Sequence, residues 1–354
     1  MLGYYVPYDS SSWYSLEAQA GSLDYVALQV ATLDYCGNVS ARTDRTLLAF
    51  AHARGLPVLA SLFTSSGPLN HSVLTRESSA ANAVNQLVSY IVDEGYDGLD
   101  IDMEGVPADD RAALTAFVGR LSAALRAQGK MVTMAVPAKS REVTTGWAGA
   151  YDYAALSPHL DLVVIMSYAY STSSTPPGST APYDWVDRVA AYSASQFSPE
   201  KVLLGVAFYG YDWNTTMGGL AKALRYPQAA ALAGAYGAAI ETDPTTRSAT
   251  FRYQANAGDP LPYEGSLPPI QHDIAVRQAP ACPLTPPTPP PVTRTPTPTP
   301  VPAPVQDHVV WLENAASVAA RLEIATRYGL GGAAAWRLGH EDPAVWSAIG
   351  EWKQ

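Results

Sequence analysis

Short apolar segments alternate along the chain with longer stretches of helical periodicity, and this alternation limits the possible folds more than any other feature. Eight segments predict β-strands, and helical patterns lie between them. They are Leu2–Tyr8, Tyr25–Leu33, Pro57–Phe63, Gly98–Met103, Met131–Pro137, Leu160–Tyr168, Val202–Tyr209 and Gly332–Trp336. Strands that alternate with helices form parallel sheets, and eight such units predict a closed (β/α)8 barrel, the TIM barrel of the α/β class. In such barrels, functional side chains gather at the carboxyl ends of the strands.

The fourth segment carries an unusual row of acidic side chains. Residues Asp97–Glu104 read D-G-L-D-I-D-M-E. Because side chains alternate between the two faces of a strand, Asp100, Asp102 and Glu104 share one face, and the apolar residues between them line the other. Burying unpaired carboxylates for stability alone would be costly. The row therefore indicates a functional site at the end of the fourth strand.

Three interpretations of this row remain open from the spacing alone. The first is general acid catalysis on a glycosidic bond, because crowded carboxylates raise one another's pKa and keep one of them protonated near neutral pH. The second is a site for Ca²⁺ or Mg²⁺, although such loops usually carry glycine and asparagine rather than large apolar residues. The third is a structural hydrogen-bond network without chemistry. The spacing favours the first.

Charge and composition narrow the classes of partner. The formal net charge is −10, which argues against binding to nucleic-acid phosphates and suits a neutral substrate. Cys36 and Cys282 could form a disulfide, but two free thiols are the favoured expectation. Two cysteines cannot form a zinc site alone, and the six histidines show no ligand spacing with them. The favoured interpretation of the acidic row needs neither a metal nor a cofactor, and neither is expected. No segment is long and apolar enough to span a membrane, and the first residues indicate a strand rather than a signal peptide.

The seventh βα unit is interrupted by a long insertion. We expect a single catalytic barrel over residues 1–354, with a small α+β insertion over residues 214–310 between strand 7 and helix 7. Within it, Gly219–Tyr236 indicates a helix and Ala239–Tyr253 indicates strands. A low-complexity run rich in proline and threonine occupies residues 280–305. Proline lacks the backbone donor, so this run is expected to be extended and solvated, either as a tolerated loop or as a partner-binding or glycosylated segment.

The acidic segment matches the pattern D-G-x-D-x-D-x-E, and through it the chain resembles glycoside hydrolase family 18. That family contains chitinases, N-acetylglucosaminidases and chitinase-like lectins. Other segments are similar to family motifs on the first, sixth, seventh and eighth strands: Gly3–Tyr5, Met166–Tyr168, Leu204–Gly210 and Trp336. Two more segments resemble the branch of bacterial spore-cortex lytic and cell-wall enzymes: Val310–Ala315 and Gly331–Gly339.

The resemblance implies catalytic roles for four residues. In this family the 2-acetamido group of the sugar assists the reaction, so a single acid suffices. Glu104 would protonate the leaving oxygen and then activate water. Asp102 would orient the acetamide and stabilise its positive charge, and Asp100 would lie deeper and tune Asp102. Tyr168 would hydrogen-bond the acetamido carbonyl oxygen.

The resemblance also implies substrate-binding roles for aromatic and apolar residues. Trp336 would form the floor beneath the sugar at the cleavage point. Three further residues are expected to line the same cleft, with core packing as the alternative for each: Tyr5, Met166 and Tyr209.

Two other positions of the motifs have structural consequences. Asp97 has the opposite strand parity from the other acids, so it and Gly98 are expected to support the strand rather than to contact sugar. Many relatives carry an acidic residue directly after the tyrosine of the sixth strand, whereas this chain has Ala169. One polar contact to the substrate is therefore expected to be missing, without loss of the core mechanism.

The resemblance implies a retaining hydrolase of β-1,4-linked N-acetylglucosamine polymers, either peptidoglycan or chitin, with peptidoglycan favoured by the likeness to cell-wall enzymes. The alternative from a different class is a sugar-binding lectin without turnover, although such relatives usually lose the glutamate that Glu104 matches. A metal-dependent enzyme is a third possibility. Because these polymers lie outside the membrane, we expect an extracellular or cell-wall location.

Overall fold

The structure, a computed structural model, describes residues 1–263, 267–284 and 304–354. Within these residues, fifteen strands follow one another along the chain. They are β1 (Leu2–Tyr5), β2 (Tyr25–Leu33), β3 (Val39–Asp44), β4 (Val58–Thr64), β5 (Gly98–Met103), β6 (Met131–Pro137), β7 (Leu162–Met166), β8 (Val202–Ala207), β9 (Tyr209–Asn214), β10 (Lys222–Arg225), β11 (Glu241–Thr242), β12 (Ala249–Asn256), β13 (Ile274–Arg277), β14 (Val305–Leu312) and β15 (Gly332–Trp336).

Ten α-helices are present in the same residues, and in this part of the chain no helix is both long and apolar enough to cross a membrane. They are α1 (Ser10–Gln19), α2 (Arg45–His52), α3 (Gly67–Thr75), α4 (Glu77–Asp93), α5 (Arg111–Arg126), α6 (Tyr153–Leu156), α7 (Tyr183–Gln196), α8 (Tyr226–Ala235), α9 (Ala315–Arg327) and α10 (Val345–Trp352).

Eight of the strands close into a parallel barrel, which confirms the predicted (β/α)8 fold. The order around the barrel is β1, β2, β4, β5, β6, β7, β8 and β15, and β1 pairs in parallel with both β2 and β15. The first strand is shorter than predicted, because it ends at Tyr5 and Pro7 has no N–H to donate to a neighbouring strand. The ring brings the carboxyl ends of all eight strands to one face.

Two apolar layers flank the barrel wall. Inside the barrel, small and medium-sized side chains such as Ala27, Val164 and Ala334 pack together. Outside it, a larger cluster between the strands and the helices includes Leu99 and Ile101. The apolar side chains of β5 therefore face the helices, and its acidic side chains face the interior, as the alternation of residues predicts.

A second, five-stranded antiparallel sheet follows β8 and precedes α9. Its order is β10, β9, β14, β12 and β11, and α8 packs on it through a separate small apolar cluster. This sheet includes strands on both sides of the predicted insertion boundaries, because β9 begins at Tyr209 and β14 ends at Leu312. The proline- and threonine-rich run predicted over residues 280–305 lies mostly outside the described residues.

One strand of the insertion, β13, leaves this sheet and pairs with β3 beside the barrel. That pairing brings Cys282 to the turn between β2 and β3, where it forms a disulfide with Cys36. The expectation of two free thiols was therefore wrong. A contact between residues 246 positions apart depends on the insertion's path, which no local pattern reveals. Asp34 lies close to both sulfurs, but the bonded cysteines offer no thiolate to a metal.

Candidate active site

A cavity of about 590 Å³ opens at the carboxyl face of the barrel. Its wall combines residues from the ends of most of the barrel strands, among them Tyr4, Gln29, Phe63, Asp102, Pro137, Met166 and Trp336. Glu104 directly follows β5, and Tyr168 and Ala169 lie two and three residues beyond the end of β7. These three residues complete the part of the wall that the sequence motifs indicate. The position agrees with the general location of functional sites in this fold.

Asp100 lies at the bottom of the acidic row and is fully buried. Its two carboxylate oxygens accept hydrogen bonds from Ser61 Oγ at 3.0 Å and Thr133 Oγ1 at 2.6 Å. These hydroxyl groups come from the neighbouring strands β4 and β6, so the barrel itself holds the carboxylate. Burial raises the pKa of Asp100, although the hydrogen bonds act in the opposite direction. Asp100 is thus a fixed group whose hydrogen-bonding capacity is largely used.

Asp102 lies one step further along the same face and is only 4% exposed. Its Oδ1 atom is buried without a hydrogen-bond partner among the described residues. Burial raises the pKa of Asp102 well above its usual range, and the negative charges of Glu104 and Asp100 raise it further. An unpartnered buried oxygen costs free energy, so its presence in a cavity wall indicates a place for a ligand's hydrogen-bond donor.

Glu104 is at the rim, one residue beyond the end of β5. Its main chain is fixed on both sides, because its N–H donates to the Thr64 carbonyl at 2.6 Å and its carbonyl accepts from Asn70 Nδ2 at 2.7 Å. Gly105, with φ +66°, then turns the chain away. The carboxyl group faces the cavity, and partial burial raises its pKa. Such a group stays protonated at a pH where an ordinary glutamate has ionised.

Tyr168 faces the acidic row from the end of β7. Burial raises its pKa well above the usual range, and Tyr209 and the acidic groups Asp102 and Glu104 add to this effect. The phenol is therefore a donor rather than an anion. A Cβ atom at Gly205 of β8 would lie 2.9 Å from the Tyr168 ring, so the glycine leaves room for it. The next residue, Ala169, lines the cavity with a methyl group and offers no charge there.

Trp336 at the end of β15 forms another side of the cavity. Its ring meets that of Tyr4 edge-on, with centroids 5.3 Å apart. Met166 also lines this cavity, whereas Tyr209 lines an adjoining one that shares Trp336. Tyr209 still contacts the site indirectly, because its ring meets that of Tyr168 at 6.2 Å.

The expectation for Tyr5 was wrong. It is fully buried in the cluster between the barrel and the helices, and the preceding residue, Tyr4, lines the cavity instead. The physical reason is strand parity: Leu2 and Tyr4 point into the barrel, so Tyr5 points out of it. Gly3-Tyr4-Tyr5 contains two adjacent tyrosines, and the motif alone does not distinguish their faces.

Asp97 and Gly98 lie at the amino end of β5, away from the cavity wall. The carboxylate of Asp97 accepts hydrogen bonds from the Val58 N–H at 2.7 Å and bonds His52 Nε2 at 2.9 Å. A Cβ atom at Gly98 would lie 2.5 Å from the Met131 carbonyl oxygen, so only glycine fits between the strands. These contacts support the proposal that both residues are structural.

Several residues of the cavity wall were not predicted from the sequence. Gln29 and Phe63 lie on the interior faces of β2 and β4, which they share with Ala27 and Leu59, so the period-two alternation within each strand could have identified them. Trp147 and Trp185 come from the segments that follow β6 and β7. Trp147 is 57% exposed, and no periodic pattern places such a residue. A large exposed aromatic ring beside a cleft is suited to stacking on a flat ligand face.

Comparisons with known proteins identify the family and the fold. The sequence profile described as Glycosyl hydrolases family 18 matches residues 1–341. The chain is 25% identical over 284 residues to a cortical fragment-lytic enzyme of Bacillus anthracis, covering 79% of this chain and 55% of that protein. It spans 53% to 56% of the length of four curated relatives, of which three are named cortical fragment-lytic enzymes and one a putative sporulation-specific glycosylase. The crystal structure of a chitinase from Chromobacterium violaceum superposes with a TM-score of 0.79 at 28% identity, covering 99% of this chain and 98% of that one.

Proposed function

This chain belongs to glycosyl hydrolase family 18, and we propose that it is a retaining enzyme that cleaves β-1,4 bonds in N-acetylglucosamine-containing glycans by substrate-assisted catalysis. The observation that carries the proposal is the acidic row of β5. It presents one carboxyl group at the cavity rim, Glu104, and behind it an aspartate, Asp102, with an unpartnered oxygen. Asp100, the third acid, is already bonded by two hydroxyl groups, so it is not free to attack a sugar.

In this mechanism the sugar supplies its own nucleophile. The acetamido carbonyl oxygen attacks the anomeric carbon while Glu104 donates its proton to the departing glycosidic oxygen, which breaks the bond and leaves a cyclic oxazolinium ion. Glu104, now ionised, removes a proton from water, and the resulting attack on the anomeric carbon reopens the ring with net retention. Asp102 Oδ1, which has no hydrogen-bond partner among the described residues, would accept a hydrogen bond from the acetamide N–H. Asp102 would also stabilise the positive charge that develops on the acetamide nitrogen.

Two further residues would position the sugar. The Tyr168 hydroxyl group, kept neutral by its high pKa, would donate a hydrogen bond to the acetamido oxygen. Trp336 would stack beneath the ring. Its indole already has one side supported by the edge-on contact with Tyr4, so little conformational freedom is lost on binding.

The natural polymer and location are part of the proposal. Relatives are named as cortical fragment-lytic enzymes and as chitinases, so peptidoglycan and chitin are the two candidates. Both lie outside the cell membrane, and we propose an extracellular or cell-wall location. We further propose that residues 1–354 form one catalytic barrel, with the region of residues 214–310 as its insertion.

The pH dependence of hydrolysis tests the function directly. An ordinary glutamate has a pKa of about 4.3, and burial raises the pKa of Glu104 above that value. The protonated form of Glu104 therefore persists to higher pH, and kcat/KM should fall only as pH rises through the raised pKa of Glu104. Initial rates on an N-acetylglucosamine tetramer between about pH 4 and pH 9 measure this, with products identified by mass spectrometry. No cleavage, or activity lost from about pH 4.3 upward, would contradict the proposal. Activity abolished by exhaustive EDTA treatment would instead favour a metal-dependent enzyme.

Replacing Asp102 by asparagine should lower kcat about 100-fold, because the asparagine amide cannot ionise to stabilise the positive charge that develops on the acetamide nitrogen. The same change should raise thermal stability at alkaline pH. The folded-state pKa of Asp102 lies above its unfolded value, so the wild type loses stability as pH rises through the folded pKa, whereas asparagine does not ionise. The gain in melting temperature should therefore narrow as pH falls toward about pH 4.

The matched control for this substitution is Asp97→Asn, at the other end of the same strand and outside the cavity. Its kcat should stay within about twofold of the wild type, because the residue contacts strand backbone and His52 rather than substrate. Equal losses of kcat in the two variants, or an unchanged kcat for Asp102→Asn, would remove Asp102 from the mechanism.

A further inference from the structure

A second cavity of about 440 Å³ adjoins the first and shares Trp336 with it. The insertion sheet contributes Tyr209, Tyr211 and Arg225 to its wall, and Arg337 follows directly after the shared tryptophan. Tyr209 contacts the ring of Tyr168 in the main cavity. A glycan bound over Trp336 can therefore extend a substituent into this second space.

The wall of this cavity carries more positive than negative charge. Arg337 is bound tightly, since its Nη2 atom lies 2.8 Å from Asp9 Oδ2 and its Nη1 atom lies 3.2 Å from Ser12 Oγ. The Arg225 guanidinium group is 3.8 Å from Asp9 Oδ1, which is an ion pair beyond hydrogen-bonding distance. Two guanidinium groups thus face a single carboxylate. The remaining positive charge belongs to Arg225, whose side chain is 27% exposed.

The protonation states of Asp9 and His340 leave this excess of positive charge in place. Burial would raise the pKa of Asp9, but hydrogen bonds from His340 and Ser11 and the charge of Arg337 hold it well below its usual range, so Asp9 is ionised. Burial lowers the pKa of His340, so that ring is neutral near pH 7. Among the described residues that line it, the cavity therefore carries a net charge of about +1, from two guanidinium groups and one carboxylate, in a protein whose formal net charge is −10.

Two nearby acidic residues, Glu341 and Asp342, form no ion pair with either guanidinium group among the described residues. The carboxylate of Glu341 accepts hydrogen bonds from Trp346 Nε1 and the Gly339 N–H and is not part of the cavity wall. Asp342 accepts backbone N–H groups at the starts of α9 and α10 and is likewise outside the wall. Neither carboxylate is therefore placed to neutralise the Arg225 guanidinium group by direct contact.

The position of Arg225 is fixed by the fold. It is the last residue of β10, and its backbone N–H donates to Gln228 Oε1 at 2.9 Å in the first turn of α8. Tyr209 and Tyr211, on the adjacent strand β9, form an edge-on pair with centroids 5.6 Å apart. The guanidinium group thus projects from a rigid strand end beside an aromatic wall, and it retains donors suited to a planar carboxylate.

We propose that this second cavity binds a carboxylate carried by the glycan, so that the preferred substrate is an acidic glycan with carboxylate-bearing substituents on alternate N-acetylated sugars rather than neutral chitin. This inference rests on the proposed hydrolase function and selects between its two candidate polymers. The carboxylate can come from an ether-linked acid on the sugar itself or from a peptide attached to it. Arg225 makes the contact that determines specificity. The ion pair between Arg337 and Asp9 forms the adjacent part of the cavity wall.

The test compares three soluble tetramers: N-acetylglucosamine alone, an alternating glycan whose sugars carry free carboxylates, and the same glycan with those carboxylates methyl-esterified. The wild type should prefer the free acid to its ester about tenfold in kcat/KM, mainly through KM, and the preference should weaken with added salt. Arg225→Gln should bring the acid-to-ester ratio close to one, and Arg225→Lys should restore part of it. A fourth substrate, with peptides attached to the carboxylates, is compared with its own methyl ester to identify the source. A preference for the free acid that appears only in this pair assigns the contact to the peptide.

The matched control is Arg252→Gln, which removes one exposed arginine from the same sheet outside the cavity and should leave the acid-to-ester ratio unchanged. The inference would be overturned by a wild-type acid-to-ester ratio of kcat/KM near one on both the sugar-linked and the peptide-linked carboxylates. A ratio that Arg225→Gln does not alter would also overturn it. In either case, hydrolysis of the neutral tetramer would still support the proposed function. No hydrolysis of any of these glycans would overturn the function itself.

Discussion

Replacing Glu104 by glutamine should lower kcat on an N-acetylglucosamine tetramer about 1,000-fold while changing the affinity for the tetramer only a few-fold. Glutamine has nearly the same shape, but its amide N–H is far too weak an acid to protonate the leaving oxygen at the cavity rim. The departing sugar would then leave as an alkoxide, and no group would remain to activate water in the second half of the reaction. Loss of turnover with retained binding is the pattern expected for a general acid.

The structure predicts that this variant folds normally. The fixed contacts of Glu104 are made by its main chain with Thr64 and Asn70, and a change of side chain leaves them in place. Removing a partly buried carboxyl group also removes a desolvation cost. Circular dichroism and a melting curve check the fold, and calorimetric titration with the tetramer checks the binding.

Glu77→Gln supplies the matched control. Glu77 is on the surface at the start of α4, where it pairs with Arg120, and it is remote from the cavity wall. Its kcat should match the wild type within about twofold. A wild-type kcat for Glu104→Gln would show that another group donates the proton, and loss of both binding and fold would show that the residue is structural.

The barrel and its acidic row were predictable because both depend on local periodicity. Alternation of strand and helix patterns predicted the ring, and period-two alternation placed Asp100, Asp102 and Glu104 on the inner face of β5. The contacts that tune these acids were not predictable. Ser61 and Thr133 reach Asp100 from adjacent strands, and their partnership depends on the register between β4, β5 and β6.

Other features of the site depend on contacts that are remote in sequence. The register that turns Tyr4 rather than Tyr5 into the barrel follows from pairing of β1 with β2 and β15. The Cys36–Cys282 disulfide follows from pairing of β13 with β3. The surplus charge beside Trp336 combines Asp9 near the amino terminus with Arg225 in the insertion. None of these leaves a pattern within one short segment of sequence.

A change in the substrate, the removal of its N-acetyl groups, should also have a large effect on the rate of cleavage. The proposed mechanism takes its nucleophile from the acetamido group, because Asp100 is held by two hydroxyl groups and Asp102 lies behind Glu104 on the same strand face. An intramolecular nucleophile held in place lowers the barrier by several kcal/mol, on the order of 7 in well-aligned cases. A glycan without the acetyl group has no such nucleophile, and it leaves the unpartnered oxygen of Asp102 without the amide it would bind.

The most direct test of the account is therefore the rate of cleavage of the N-acetylglucosamine tetramer compared with the same tetramer after N-deacetylation. The account predicts a kcat/KM at least about 1,000-fold lower for the deacetylated tetramer, and chemical re-acetylation of that sample should restore the rate. Equal rates on the two tetramers would contradict substrate assistance and, with it, the roles proposed here for Asp102 and Tyr168.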